Sequence, residues 1–397
     1  MPTFNDPLAD AAEASEALRG LAHASRTFDN PADTYAVFGD VISGVRSLRQ
    51  VLDQLADAHL THRERAHDDP GNHAAGAGSA LTAADELHQA GTLLDQVQGL
   101  DIVRCAVVHP CDAGSLSGAM DAANHGLIKP VLIGPEGRIR HVAEEAGISL
   151  QGVEIISVEH SHAAAEMAAE MAANKEVEIL MKGSLHTDEL LKAVLSHKAL
   201  RTGRRLSHVF RFDVPLYPKP LIITDAAINI EPTLQEKVDI VQNAIDFARV
   251  MGIETPKVAI LSAVETVTAS IPSTLDAAAL CKMADRGQIT GGLLDGPLAF
   301  DNAVSPDAVQ IKGIVSEVAG QADILAVPDL ESGNMIAKQL EYLAGASGSG
   351  LVLGARVPIA LPRRADGAMA RVASTVLAVL AAHDSRRKNQ ANAWKQG

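Results

Sequence analysis

Two patterns of apolar and polar positions divide the chain. Over residues 1–100 Ala is abundant and strand-like alternation is missing. Phe38, Val41, Val45, Leu48, Leu52 and Leu55 follow a 3-4-3-4 spacing, which predicts one helical stripe. Leu81, Ala84, Leu87, Leu94 and Val97 mark a second helix, and the Ala-rich stretch 8–24 suggests an earlier one. A Pro/Gly/Ala-rich loop, 67–80, separates the two main helices. The pattern predicts an N-terminal all-helical extension over 1–100, a small bundle or a coiled-coil hairpin. So few helices bury little alone, so packing on the rest of the chain or on a partner subunit is expected.

From residue 101 short apolar runs alternate with amphipathic helical stretches. The runs are CAVVHP (105–110), PVLIG (130–134), VEIISV (153–158), VEILMKG (177–183), PLIITD (220–225), KVAILS (257–262), ADILAVPD (322–329), and LVLGA with VPIAL (351–361). Strands of this kind are buried on both faces, and the intervening helices supply right-handed crossovers. The prediction is an α/β protein with mostly parallel sheets. Nearly 300 residues exceed one simple sheet, so two lobes with a cleft are expected. Ligands of open α/β sheets bind beyond the carboxyl ends of strands. The polar, basic stretch 384–397 reads as a flexible tail.

Composition narrows the partners. With 397 residues, two or three domains are expected at roughly 150 residues each. The formal net charge of -15 argues against nucleic acid, because phosphate neutralisation needs a basic surface. Aromatics are 3%, too few for base-stacking platforms. Cys105, Cys111 and Cys281 form neither a disulfide framework nor a thiolate zinc site of usual spacing. The start, MPTFNDPLADAAEASE, lacks a basic-then-apolar leader pattern, and apolar runs fall short of membrane-spanning length. A reducing cytoplasm fits these features. His59, His62 and His67 read as a solvated polar face rather than a metal site, and no metal is expected.

Five loops carry candidate chemistry. Met181 to Thr187 leads into DELLKAVL: Gly183 permits close backbone approach, Ser184 or Thr187 can cap, and the helix start favours an anion. By spacing alone an ordinary capped helix start is the favoured reading. Arg201-Thr202-Gly203-Arg204-Arg205 offers guanidinium groups for a phosphate, or a solvated surface loop. In Leu294 to Ala303, Asp295 and Asp301 flank a Gly-Pro turn and could do acid/base work or simply cap. Pro328 to Asn334 is another Gly-containing helix entrance, with Ser332 and Asn334. The fifth is the Gly/Ser run 345–350, followed by strand and then by Pro362-Arg363-Arg364-Ala365-Asp366, whose paired arginines could clamp a phosphate. Walker A, GxGxxG and GxSxG patterns are missing from their required contexts.

Together these segments resemble the phosphate acetyl/butyryltransferase family over residues 101–383. The resemblance rests on MKGSLHTDELLKAVL (181–195), RTGRRLSHVFRFDVP (201–215), KVAILSAVETV (257–267), KMADRGQITGGLLDGPLAFDNA (282–303), ADILAVPDLESGNMIAKQL (322–340) and GARVPIALPRRAD (354–366). DGPLAFDNA and SAVETV look more like the phosphate butyryltransferase-like branch. The resemblance implies an isocitrate/isopropylmalate dehydrogenase-like fold, with one lobe at 101–212 plus 355–383 and the other at 213–354.

It also implies reversible transfer of a short acyl group, acetyl or butyryl, between coenzyme A and inorganic phosphate through a ternary complex, with no bound cofactor. Acyl-CoA and phosphate are then the partners, nucleic acid and membrane are not, and a homodimer or higher homo-oligomer is expected. The acetyl-specific branch has a Ser-Arg pair after the last strand and an Asp six residues beyond that Arg. Aligned through Val357-Pro358, Arg364 takes the phosphate-binding position, Arg363 stands at the Ser position and Ala370 at the Asp position. Asp366 is the nearest replacement carboxylate, with Asp295 and Asp301 as competitors. Ser184, His186, Arg204, Arg205, Ser332 and Asn334 are carried over as substrate contacts. Two other classes stay open at this point: a metal-dependent dehydrogenase of similar fold, and an acyl-CoA or acyl-phosphate binder without turnover.

Overall fold

The computed structural model describes residues 60–61, 100–362 and 368–394, with side chains at 371–388 of the last segment. The apolar stripe from Phe38 to Leu55, His59, His62 and His67, and Arg363, Arg364 and Asp366 lie outside the described residues.

Eleven strands form one sheet. They are β1 (Val103–Val108), β2 (Ile128–Gly134), β3 (Glu154–Ser157), β4 (Ile179–Lys182), β5 (Ser207–Asp213), β6 (Leu221–Thr224), β7 (Lys257–Leu261), β8 (Leu293–Leu298), β9 (Ile324–Ala326), β10 (Ser347–Leu353) and β11 (Ile359–Ala360). Their spatial order is β3-β2-β1-β4-β11-β10-β5-β6-β9-β7-β8. The α/β expectation is borne out, but one continuous sheet replaces the separate sheets expected for two lobes.

A reversal in the middle makes this possible. β1, β2, β3, β4 and β11 are mutually parallel, as are β6, β7, β8 and β9. Between the two blocks every pairing is antiparallel: β11 with β10, β10 with β5, and β5 with β6. Three reversals leave the blocks pointing in opposite directions. The carboxyl ends of β1–β4, β5 and β11 therefore share one end of the sheet, and those of β6–β10 share the other.

Alternation along the strands (period two) feeds a core on each face. Cys105, Val107, Ile222, Val258 and Ile324 meet α1 (Ala113–Asn124), α2 (Glu136–Glu145), α5 (Leu234–Val250), α6 (Pro272–Asp285) and α10 (Ala368–Trp394). Their neighbours turn to the other face. Ala106 and Val108 face α3 (Ser161–Ala173) and α4 (Thr187–Ser196), whereas Ile223, Ala259 and Leu325 face α7 (Phe300–Val304) and α9 (Leu330–Leu343). The short α8 (Pro306–Lys312) follows α7 directly. Local signals set the helix starts. Thr233 and Glu236 form a capping box on α5, and Asp329 caps α9 through the Ser332 amide.

Three stretches depart from the sequence expectation. LLDGPL reads as a loop because Gly and Pro discourage strand, yet it is β8, an edge strand where Pro removes no needed donor. The Gly/Ser run reads as a loop and is instead the start of β10. A Cβ on Gly348 would stand 2.5 Å from the Phe212 ring, and one on Gly350 2.6 Å from His208 Nε2. The glycines make room for aromatic rings of β5 lying over the strand. Finally, 384–394 continues α10 instead of fraying: Arg386 makes a two-pronged ion pair with Glu178, and His383 bonds to the Asp101 carbonyl at 2.8 Å.

Gly348→Val is expected to destabilise the chain by about 1–3 kcal/mol through overpacking against Phe212. Urea denaturation monitored by circular dichroism measures it. An unchanged midpoint would show that the ring moves aside freely.

Candidate active site

At the β4 end, the loops after β1 and β4 are zipped together by their backbones. The Gly183 amide donates to Val108 O at 2.9 Å, and the Ser184 amide to His109 O at 2.8 Å. A Cβ on Gly183 would stand 2.5 Å from Val108 O and 2.7 Å from His109 O, so a side chain there would force the loops apart. Lys182 Nζ donates to Gly183 O and Leu185 O, both at 3.1 Å, and the carbonyl between them, Ser184 O, lies 2.9 Å from His109 Nδ1. Ser184 is half-buried; His186 is exposed at the start of α4 and makes no side-chain cap. β11 pairs with β4 as Ile359 with Leu180 and Ala360 with Met181. Continuing that register brings Leu361 and Pro362 alongside Lys182 and Gly183. The next residue in the chain is Arg363.

The opposite end gathers a second set. Arg204 is bound to Asp246 at 2.6 Å. The Arg205 amide donates to Asp239 at 2.9 Å, its Nε to Asn229 Oδ1 at 2.8 Å, and its guanidinium pairs with Glu236 at 3.0 Å. Both arginines are thus already neutralised by carboxylates rather than forming a free fork. Behind Arg205, buried Asp225 accepts the amides of Ala227 (2.9 Å), Ile228 (3.1 Å) and Asn229 (3.3 Å), and the Asn229 Nδ2 at 2.6 Å. Burial pushes the Asp225 carboxyl above its ordinary range, against the pull of those amide donors. Asn334 reaches Ala226 O at 3.3 Å, which joins α9 to this cluster, while Ser332 is taken up by Asp329.

The two carboxylates proposed as competing bases make their contacts with neither set. Asp295, on edge strand β8, accepts the Gly296 amide at 2.8 Å. Asp301 is exposed and lies 3.9 Å from Lys312, which itself holds Glu265 at 2.9 Å. That lysine keeps the Glu265 carboxyl below its usual range. The thiols are no better placed as nucleophiles. Burial raises Cys105 and Cys111, and Cys281 is pushed up to about 12, by burial first and then by Asp295 and Asp285.

The structure therefore divides the predicted residues. Ser184 and His186 fall at the β4 end. Arg204, Arg205, Ser332, Asn334 and Asp301 fall at the other, with Asp295 within β8. His109, Asp225, Asn229, Glu265 and Lys312 were missed. His109 had a readable signal, as a polar residue closing the apolar run CAVVHP. The pairing of Asp225 with Asn229 depends on a turn that no periodicity reports. Among the described residues, no group of three or more His, Cys, Asp or Glu side chains is placed to hold a metal ion, and no helix is long and apolar enough to cross a membrane.

A family model described as "Phosphate acetyl/butaryl transferase" matches residues 160–379. The phosphate acetyltransferase of Rickettsia felis is 57% identical over 306 residues, 76% of this chain and 87% of that protein. The phosphate butyryltransferase of Clostridium acetobutylicum is 38% identical over 291 residues, 73% of this chain and 97% of its own. A branched-chain phosphotransacylase from Enterococcus faecalis V583 superposes with a TM-score of 0.63 at 27% identity, covering 71% of this chain and 99% of that one. The chain belongs to the phosphate acetyl/butaryl transferase family. Membership decides against the dehydrogenase alternative.

Asp225→Ala is expected to cost about 1–3 kcal/mol, because it leaves buried amide donors unpaired. Chemical denaturation gives the value, and Asp225→Asn should cost less because its Oδ1 still accepts. Equal costs for the two would refute the accounting.

Proposed function

We propose that the chain is an acyl-CoA:phosphate acyltransferase, reversibly moving a short acyl group between coenzyme A and inorganic phosphate. The observation that carries this is family membership across most of the chain, with 57% identity to a phosphate acetyltransferase. Relatives named for butyryl transfer lie at lower identity, 38% in the example above, which supports acetyl as the preferred group. The substrates fit a cytoplasmic enzyme, and the heptad-spaced positions from Phe38 to Leu55 support a homo-oligomer.

The chemistry needs little beyond placement. In a ternary complex the acyl carbonyl meets either a phosphate oxygen or the CoA sulfur, and removing the entropy of encounter supplies much of the rate. The reacting anions call for guanidinium donors and backbone amides. Arg364 is assigned to phosphate, following β11 in the chain, with Arg363 and Asp366 beside it in sequence. Ser184 and His186 follow β4, the strand paired with β11, which supports their assignment to the same substrate. Arg205, about half exposed and paired with Glu236, is assigned with Arg204 to the CoA phosphates; Ser332 and Asn334 belong with them. The two blocks of the sheet support a division into lobes at 101–212 plus 355–383 and at 213–354.

The direct test is CoA release from acetyl-, propionyl- and butyryl-CoA, with and without phosphate. Phosphate-dependent release, fastest with acetyl-CoA, is expected; CoA binding by calorimetry without turnover would reject the enzyme reading. Within that assay, Arg364→Ala should raise the KM for phosphate far more than that for acyl-CoA, since a lost charged clamp removes about 1.5–3 kcal/mol. Arg363→Ala should do less. Equal losses for both substrates, or the larger phosphate defect in Arg363→Ala, would overturn the assignment.

A further inference from the structure

Family resemblance leaves the proton acceptor unassigned, because Ala370 stands where the acetyl-specific branch has Asp. Asp295 and Asp301 lie in or beyond edge strand β8, at the far side of the sheet from β4. At the β4 end itself stands a group with the right chemistry.

His109 follows β1 directly, and three features set it apart. Its φ is 54°, a left-handed conformation that bulky residues adopt at a cost and that persists where the surroundings impose it. The surroundings here are specific. The His109 amide donates to Ile133 O at 2.7 Å, and its carbonyl accepts the amides of Cys111 and Ser184. The residue is 7% exposed and held between the ends of β2 and β4. It packs beside Gly134, and Nδ1 is 2.9 Å from Ser184 O.

That last contact decides the tautomer. A carbonyl oxygen can only accept, so the proton sits on Nδ1 and the lone pair on Nε2. Among the described residues Nε2 meets no hydrogen-bond partner. A base oriented by a hydrogen bond to its far nitrogen, with the near nitrogen open, is the arrangement general-base catalysis requires. The position is right as well. Val108 pairs with Lys182 on β4, and Met181 of β4 pairs with Ala360 on β11. The carboxyl ends of β1, β4 and β11 thus lie side by side, at the end that carries the Lys182–Leu185 loop.

We propose that His109 is the proton acceptor for the CoA thiol when acyl phosphate is consumed, a role that rests on the acyltransferase reading above. Nε2 takes the S–H proton as the sulfur–carbon bond forms. The bond from the acyl carbon to the phosphate oxygen breaks, phosphate leaves with that electron pair, and the imidazolium returns the proton to it. In the reverse direction the ring takes a proton from phosphate and delivers it to the departing thiolate. Ser184 O and the Gly183 backbone hold the ring and its loop in place.

His109→Gly is the informative variant, because a φ of 54° suits Gly and the imidazole is removed without backbone strain. His109→Asn is the second, since Asn also tolerates this conformation. Thermal melts establish that each is folded. With acetyl phosphate and CoA, kcat is expected to fall by about 10²–10⁴-fold in both. Added imidazole should restore the Gly variant, and across substituted imidazoles the restored rate should rise with their basicity. Filling a structural hole would not produce that dependence. Wild-type kcat in either folded variant overturns the proposal, as does a loss that no imidazole restores or that all restore equally. An inactive wild-type chain overturns the acyltransferase reading and this role together; an active one with unaffected variants overturns His109 alone.

Discussion

The antiparallel pairing of β5 with β10 governs the rest of the molecule. Seven residue pairs, from Ser347 with Asp213 to Leu353 with Ser207, join two parallel blocks that run in opposite directions. Without that seam each block would be a separate sheet with an open edge, a surface that invites pairing with other chains. With it, one sheet of eleven strands has the carboxyl ends of its two blocks at opposite ends. The seam has its own demand, which is close approach. Gly348 and Gly350 on β10 lie under Phe212 and His208 on β5, and His208 and Phe210 stack edge to face at 4.2 Å between centroids.

Each end of the sheet is built by a different device. At the β4 end the backbone does the work: consecutive carbonyls at Gly183, Ser184 and Leu185 are engaged by Lys182 and His109, and consecutive amides at Gly183 and Ser184 are engaged by β1's last residue and the one after it. Such a loop has little freedom left, which is what a group that must present one nitrogen to a substrate requires. At the other end a buried carboxylate, Asp225, organises a turn, and through Asn229 it holds Arg205. Three backbone amides and the Asn229 side chain donate to that carboxylate and offset part of the cost of its burial.

Much of this was legible in the sequence. Nine of the strands coincide with apolar runs noted there; in all but the edge strand β3, which is partly exposed, burial leaves a mostly uninterrupted apolar signature. The family could be read from ordered segments, since those combine many positions whose joint match is specific. β8 and the first half of β10 could not be read. Both contain Gly or Pro for reasons that lie on a neighbouring strand: Ile260 crowds Gly296, and aromatic rings crowd the β10 glycines. For Arg204 and Arg205 a phosphate contact and a solvated loop stayed open in the sequence, because basic residues around a glycine look alike whether or not carboxylates face them. Asp239, Asp246 and Glu236, all on one later helix, supply those carboxylates.

The sequence by itself determined the class of fold, the family and the chemistry to be expected, because periodicity and ordered motifs are properties of the chain read locally. Which loops share an end of the sheet was decided by tertiary structure alone. Strand direction depends on long-range pairing, and reversing one pairing moves a loop by the length of a strand, about 23 Å for seven residues. The same holds for His109. Its place after an apolar run is local, but the tautomer of its ring depends on a carbonyl 75 residues further along the chain.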